Sequence, residues 1–211
     1  QISPFLMHTS GTGGRLPVSR PYVLESGTFA ANNPYAPRAR QYGVEVAVNR
    51  GDIYSAFGLV NGTGHKLINP PGDTNNAKDI YLTVEKTFDE NGSSIGLYGY
   101  KGSWSLTAAD ATAMGLAATY LAGNVDFNQI GLIGNYTNSL FSLVGGVLTG
   151  QNAPTGGTAT SNIGYYLEGD LALTEKAALF SRLDRWDGNT AASNDETNQA
   201  TAGFSMEPLE A

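Results

Sequence analysis

The sequence has no cysteine and only two histidines, and Asp, Glu, Lys and Arg make up just 15% of its 211 residues. Without cysteine there is no disulfide, no zinc–thiolate cluster and no CxxCH haem attachment within it. His8 and His65 fall outside any two-His ligand spacing, so loop positions explain both better than a metal site does. No run of ~18 apolar residues occurs, which excludes a transmembrane helix. The 12 Lys and Arg form no cluster against 19 Asp and Glu, and the formal net charge of -7 argues against nucleic acid as a partner. No charged n-region followed by an apolar h-region opens at Gln1, so any export signal is expected to have been removed or to lie upstream. No Ser, His and acid set has nucleophile-elbow spacing. Gly11-x-Gly13-Gly14 lacks the strand-to-helix context of a phosphate cradle. The expectation is a non-enzymatic chain with no cofactor and no metal.

What the chain has in quantity is Gly (27) and Tyr (11), at a mean hydropathy of -0.20. Those values suit strands with one face in lipid and one in water. The hairpin from Asn162 to Asp187 carries that pattern most clearly. Ile163, Tyr165, Leu167 and Leu171 fall on one face of its first arm, and Tyr166, Glu168 and Asp170 on the other. After a turn at Thr174-Glu175-Lys176, Leu179 and Leu183 alternate with Phe180, Arg182 and Asp184. A turn centred near Glu175 sets Glu168 opposite Arg182, a pairing suited to a wet interior and costly in lipid. The apolar face is therefore expected to look outward. Arms of roughly 10 residues exceed the globular mode and approach the length that crosses a bilayer at a tilt.

Further strands are expected at Ile2 to His8, Tyr42 to Val48, Ile53 to Asn61, Ile80 to Glu85, Ile95 to Tyr100, Phe127 to Tyr136, Leu140 to Thr149 and Gln199 to Glu207. Both faces of Ile53 to Val60 are apolar, which leaves its orientation open. Residues 9–40, 62–77, 102–125, 150–161 and 188–198 read as long loops. Between them fall short turns at Arg50-Gly51, Asp89 to Ser93, Thr137 to Ser139 and Thr174 to Lys176. Thr107-Ala108-Ala109-Asp110 resembles a helix start, and Met114 to Tyr120 also fits a strand. Keeping residues 102–125 as one loop preserves the alternation of long and short connections. The result is a single domain over residues 1–211: an all-β, antiparallel, up-and-down transmembrane β-barrel with about ten strands visible.

A family resemblance rests on Pro4-Phe5, then Arg20-x-x-x-Leu24-Glu25, then Tyr35-Ala36-Pro37-Arg38-x-Arg40-x-x-Gly43-Val44. With Val60-Asn61-Gly62 and the Arg182-x-Asp184-Arg185 core, this resembles the phosphate-selective porin O and P family of outer-membrane channels. The resemblance implies a porin-like channel in the outer membrane of a Gram-negative bacterium, open to passive transport of ions or small polar solutes. Homo-oligomers are ordinary for such channels. Barrels of this family have more than ten strands and end on an aromatic residue, whereas this sequence ends Glu207-Pro208-Leu209-Glu210-Ala211. It therefore reads as part of a larger barrel. The family name implies anion selectivity, which an excess of acidic residues does not support.

Glu168, Asp170, Arg182 and Asp184 are the candidate lumen residues that set charge preference, with an ion-paired wall that holds register as the structural alternative. Arg20, Glu25, Arg38 and Arg40 are candidates for a loop constriction. Tyr136 and Trp186 best fit aromatic girdles at the headgroups. Asp184-x-x-Asp187-Gly188-Asn189 offers oxygen ligands without the full calcium-loop pattern and reads as a polar loop rim. Two alternatives stand beside the channel. One is a barrel sheath or scaffold around a partner such as a multihaem cytochrome, which would bring its own haems. The other is a soluble secreted β-sandwich that binds glycans through loop tyrosines, with shorter strands.

Overall fold

In the computed structural model the described residues are 42–62, 77–106, 123–174 and 177–206. They form nine strands: β1 (Gly43–Arg50), β2 (Ile53–Val60), β3 (Asp79–Thr87), β4 (Ser94–Leu106), β5 (Gly123–Thr137), β6 (Phe141–Pro154), β7 (Thr160–Thr174), β8 (Ala177–Asp187) and β9 (Thr197–Met206). Each strand pairs antiparallel with the next in sequence, giving one open up-and-down sheet with β1 and β9 at its edges. There is no helix among the described residues, so none long and apolar enough to cross a membrane. Two facing sheets, as a β-sandwich requires, are likewise absent among them. The expected strand Ile2 to His8 lies outside the described residues, as do His8, His65 and Gly11 to Gly14.

Side-chain alternation divides the sheet into two unlike faces. On the outer face Val44, Val46, Phe57, Leu59, Leu82, Leu97, Ile130, Leu132, Val147 and Leu167 are exposed. On the inner face Tyr81, Thr83, Glu85, Tyr98, Tyr100, Gln129, Tyr166 and Glu168 are buried. The register carries this sorting from strand to strand, as in Val46↔Phe57↔Leu82 and Leu132↔Val147↔Tyr165. It also settles β2, where Ala56 and Val60 turn inward while Phe57 and Leu59 turn outward.

Turns close one end of the sheet. Gly51 takes φ 62° at the first central position of the two-residue β1–β2 loop, the position that favours glycine in such hairpins. At Asp89 to Ser93 the carboxylate Oδ1 accepts from the Ser93 amide at 2.9 Å, and Gly92, at φ 82°, donates its N–H to the Asp89 carbonyl. Between β5 and β6 the Asn138 Oδ1 accepts from the amides of Leu140 and Phe141 at 2.8 and 2.9 Å, which rigidifies the turn.

Three expectations need correction. Strands extend into the segment read as the loop 102–125, since β4 runs to Leu106 and β5 starts at Gly123, paired with each other. The loop read at 150–161 shrinks to residues 155–159, because β6 continues through Gln151 to Pro154 and β7 begins at Thr160. The outer face of both extensions is polar at Ser103, Ser105, Asn124 and Gln151, whereas the inward Trp104, Leu106 and Val125 keep the alternation of a strand. Trp186, expected at a girdle, is instead 1% exposed. It shares the inner parity of Arg182 and Asp184 and lies opposite Gly164. Tyr136 is 47% exposed on the outer face beside Phe141 near the turns.

Inner glycines make room for large neighbours. Tyr81 lies across Gly58, where an added Cβ would meet its ring at 2.0 Å, and its hydroxyl donates to Glu45 on β1. Gly58→Ala should therefore cost about 1–3 kcal/mol in equilibrium denaturation by displacing that ring. Adding Tyr81→Ala in the Gly58→Ala background should cost far less than Tyr81→Ala alone. Equal costs in both backgrounds would refute the coupling. At the Asp89 turn, hydrogen bonds from Ser93 hold the carboxyl below the usual Asp range. A lowered pKa stabilises the fold above the unfolded value, and that contribution disappears as pH falls through the folded one. The unfolding midpoints of wild type and Asp89→Asn should thus differ at neutral pH and converge in acid.

Candidate functional site

The hairpin β7–β8 holds the charged group that the alternation pointed to. Glu168 lies directly opposite Arg182, and both are 3% exposed while their outward neighbours Leu167 and Leu183 are 56% and 63% exposed. The Arg182 guanidinium donates from Nε to Asp184 Oδ2 at 3.0 Å and from Nη1 to Glu168 Oε2 at 3.4 Å. One side chain thus bridges a carboxylate on its own strand and one on the next. Asp170, also buried, accepts from the Ser142 hydroxyl of β6 at 3.2 Å. All four expected lumen residues share one patch of the inner face. Arg20, Glu25, Arg38 and Arg40 lie outside the described residues.

The geometry brings in residues that the sequence did not single out as a site. Asp79, 1% exposed at the start of β3, accepts from the Tyr100 hydroxyl at 2.6 Å and from the Ser103 amide at 3.1 Å. Its carboxylate occupies the space over Gly102, where an added Cβ would come within 2.4 Å of it. The Tyr100 ring stacks on Phe127 at 5.5 Å and on Tyr98 at 6.4 Å. The signal for this cluster was the inner parity of Tyr98, Tyr100 and Gly102, but Asp79 abuts a segment read as loop, one residue before the expected strand.

Charge is sorted by face. Among the described strand residues the inner face carries Glu45, Asp79, Glu85, Glu168, Asp170 and Asp184, with Arg182 its one cation. The outer face carries charge near strand ends at Arg50, Lys86, Asp126, Arg185 and Asp187, and within β4 at Lys101. Among the described residues no group of three or more His, Cys, Asp or Glu is placed to hold a metal ion, Asp184 to Asp187 included. The patch fixes charge and hydrogen bonds along a wall, and it also ties β6, β7 and β8 in register.

Comparison with protein-family models, with curated proteins and with solved structures finds no match for this chain.

Removing the cation alone leaves two buried carboxylates without it, so Arg182→Met should destabilise by about 3–5 kcal/mol. The triple change Arg182→Met, Glu168→Gln, Asp184→Asn should recover most of that loss in the same denaturation assay. A triple variant no more stable than the single one would show that the ion pairs are not the source of the cost.

Proposed function

We propose that this sheet is the wall of a membrane β-barrel, in a porin-like outer-membrane channel for passive diffusion of ions or small polar solutes. The observation that carries the reading is the continuous outer face of exposed Val, Leu, Ile and Phe, with charge confined to its margins. Water-soluble monomers rarely expose apolar patches beyond a few hundred Å², and this face extends across all nine strands. On β7 the outward run from Ile163 to Leu173 covers ~33 Å of strand. A tilt of ~40° brings it to about 25 Å, the height of the apolar band in outer-membrane barrels. Connections fit the same reading, short at one end and longer at the other, except at residues 155–159 between β6 and β7. The family resemblance of the sequence points the same way.

Within that reading the acidic excess of the inner face favours cations, in contrast to the anion preference that the family name implies. A second reading keeps the barrel and fills it. The inner side chains from Tyr81 to Trp186 are largely buried, which suits a sheath or scaffold with a closed interior, as around a cytochrome partner. Conductance separates the two readings. Purified from outer membranes and placed in a planar bilayer, a channel should show steady steps with potassium preferred over chloride. That preference should fall in Glu168→Gln and rise in Arg182→Gln. Membrane location without conductance, together with a co-purifying haem protein, would favour the sheath. A chain that stays soluble without detergent would exclude both.

A further inference from the structure

A groove of about 770 Å³ opens across β6 to β9. Its lining takes in two outward rows, Phe141–Leu171–Leu179–Phe204 and Leu143–Gly169–Ser181–Ala202, and the inward row between them. None of the inner side chains one row further on either side lines it, so the groove opens on the apolar face. Its origin is the second row, where three adjacent strands place Gly169, Ser181 and Ala202 in register. Beyond them stand Leu167 and Leu183, both exposed. The floor of small residues thus runs between two ridges of large apolar ones. Across four strands its length is about 14 Å, and its volume lies in the ~300–1,000 Å³ range of small-molecule sites.

We propose that this groove binds one fatty acyl chain of a membrane phospholipid, an inference that rests on the membrane reading above. The charge pattern selects the occupant. The outward positions of β6, β7 and β9 carry no charge, and the nearest on β8, Arg185, is four residues from Ser181, ~13 Å along the strand. Among the outward side chains that line it the hydroxyl of Ser181 is the one polar group, while Ser142 and Asp170, in the row between, have the inner parity and bond to each other. Such an outward surface offers little to a polar solute and complements a flexible apolar chain, which gains close packing against the groove walls rather than hydrophobic transfer, since its surroundings are already hydrocarbon.

The test reconstitutes the full chain with phosphatidylcholine spin-labelled on its acyl chain and measures the motionally restricted lipid per protein. Ser181→Leu with Ala202→Leu fills the floor and should weaken that binding about tenfold, while Val46→Leu, far away on β1, should leave it unchanged. Gly169→Ala is the gentler variant. Its added Cβ would meet only the tip of Leu143, at 3.3 Å, and it should give a smaller loss in the same direction even if the double variant fails to fold. Restricted lipid that is unchanged in these floor variants overturns the inference and leaves the barrel reading standing. A change of oligomeric state with lipid unchanged overturns it in favour of a second copy in the groove. A chain that does not enter the bilayer overturns the membrane reading and this inference with it.

Discussion

The structure depends on keeping eight strand pairings in phase. Side chains repeat every two residues, so a slip of one position would carry Glu168 and Asp184 to the apolar face and Leu167 and Leu183 to the buried one. Register is held where such a slip would cost most. The Arg182 bridge spans β7 and β8, the Ser142 hydroxyl joins β6 to Asp170, and Tyr100 joins β4 to Asp79 at the start of β3. These bonds are shielded from water, which strengthens each one and raises the cost of leaving any partner unmatched.

Glycine content follows from the same face. Large side chains on neighbouring strands cannot all occupy a buried surface at full size, and the sheet meets this by setting bulk against absence. Phe180 lies over Gly203 as Tyr81 lies over Gly58, and Ile133 crowds the position that a Cβ on Gly146 would take. The outer face obeys no such limit at the row Gly169, Ser181, Ala202, where small residues leave a groove that no described residue fills. Small residues therefore have opposite effects on the two faces: inside they admit a neighbouring side chain, and outside they open a recess.

Most of the sheet was legible in the sequence because its signal is local. The β7–β8 register, with Glu168 opposite Arg182, followed from the centre of one turn, and the bulge between Ala172 and Thr174 shifts the pairing only next to that turn. Strand ends were less legible. Ser103 to Leu106 alternates polar and apolar as a strand does, yet the pattern of long and short connections assigned it to a loop. Gln151 to Pro154 does not alternate, and only backbone pairing marks it as strand. Trp186 was misplaced because an aromatic at a strand end suits a girdle and an interior alike. Its parity with Asp184 was the better guide. Asp79 could not be found from pattern, since its role depends on Tyr100 and Ser103 reaching it from the adjacent strand.

Parity also bears on how the two edges relate. Eight antiparallel steps separate β1 from β9, so the two edge strands run in the same direction. Joining them directly would make one parallel pair in an otherwise antiparallel sheet, with the slanted and slightly weaker hydrogen bonds of that geometry. An antiparallel closure needs an odd number of intervening strands, which makes the total even, as in bacterial outer-membrane barrels. The pressure toward closure is strong in the proposed setting. In water an edge strand can be solvated or blunted, but in hydrocarbon each unpaired N–H and C=O along β1 and β9 costs several kcal/mol. On the proposed reading, an apolar outer face set in a bilayer therefore also requires a closed ring of strands.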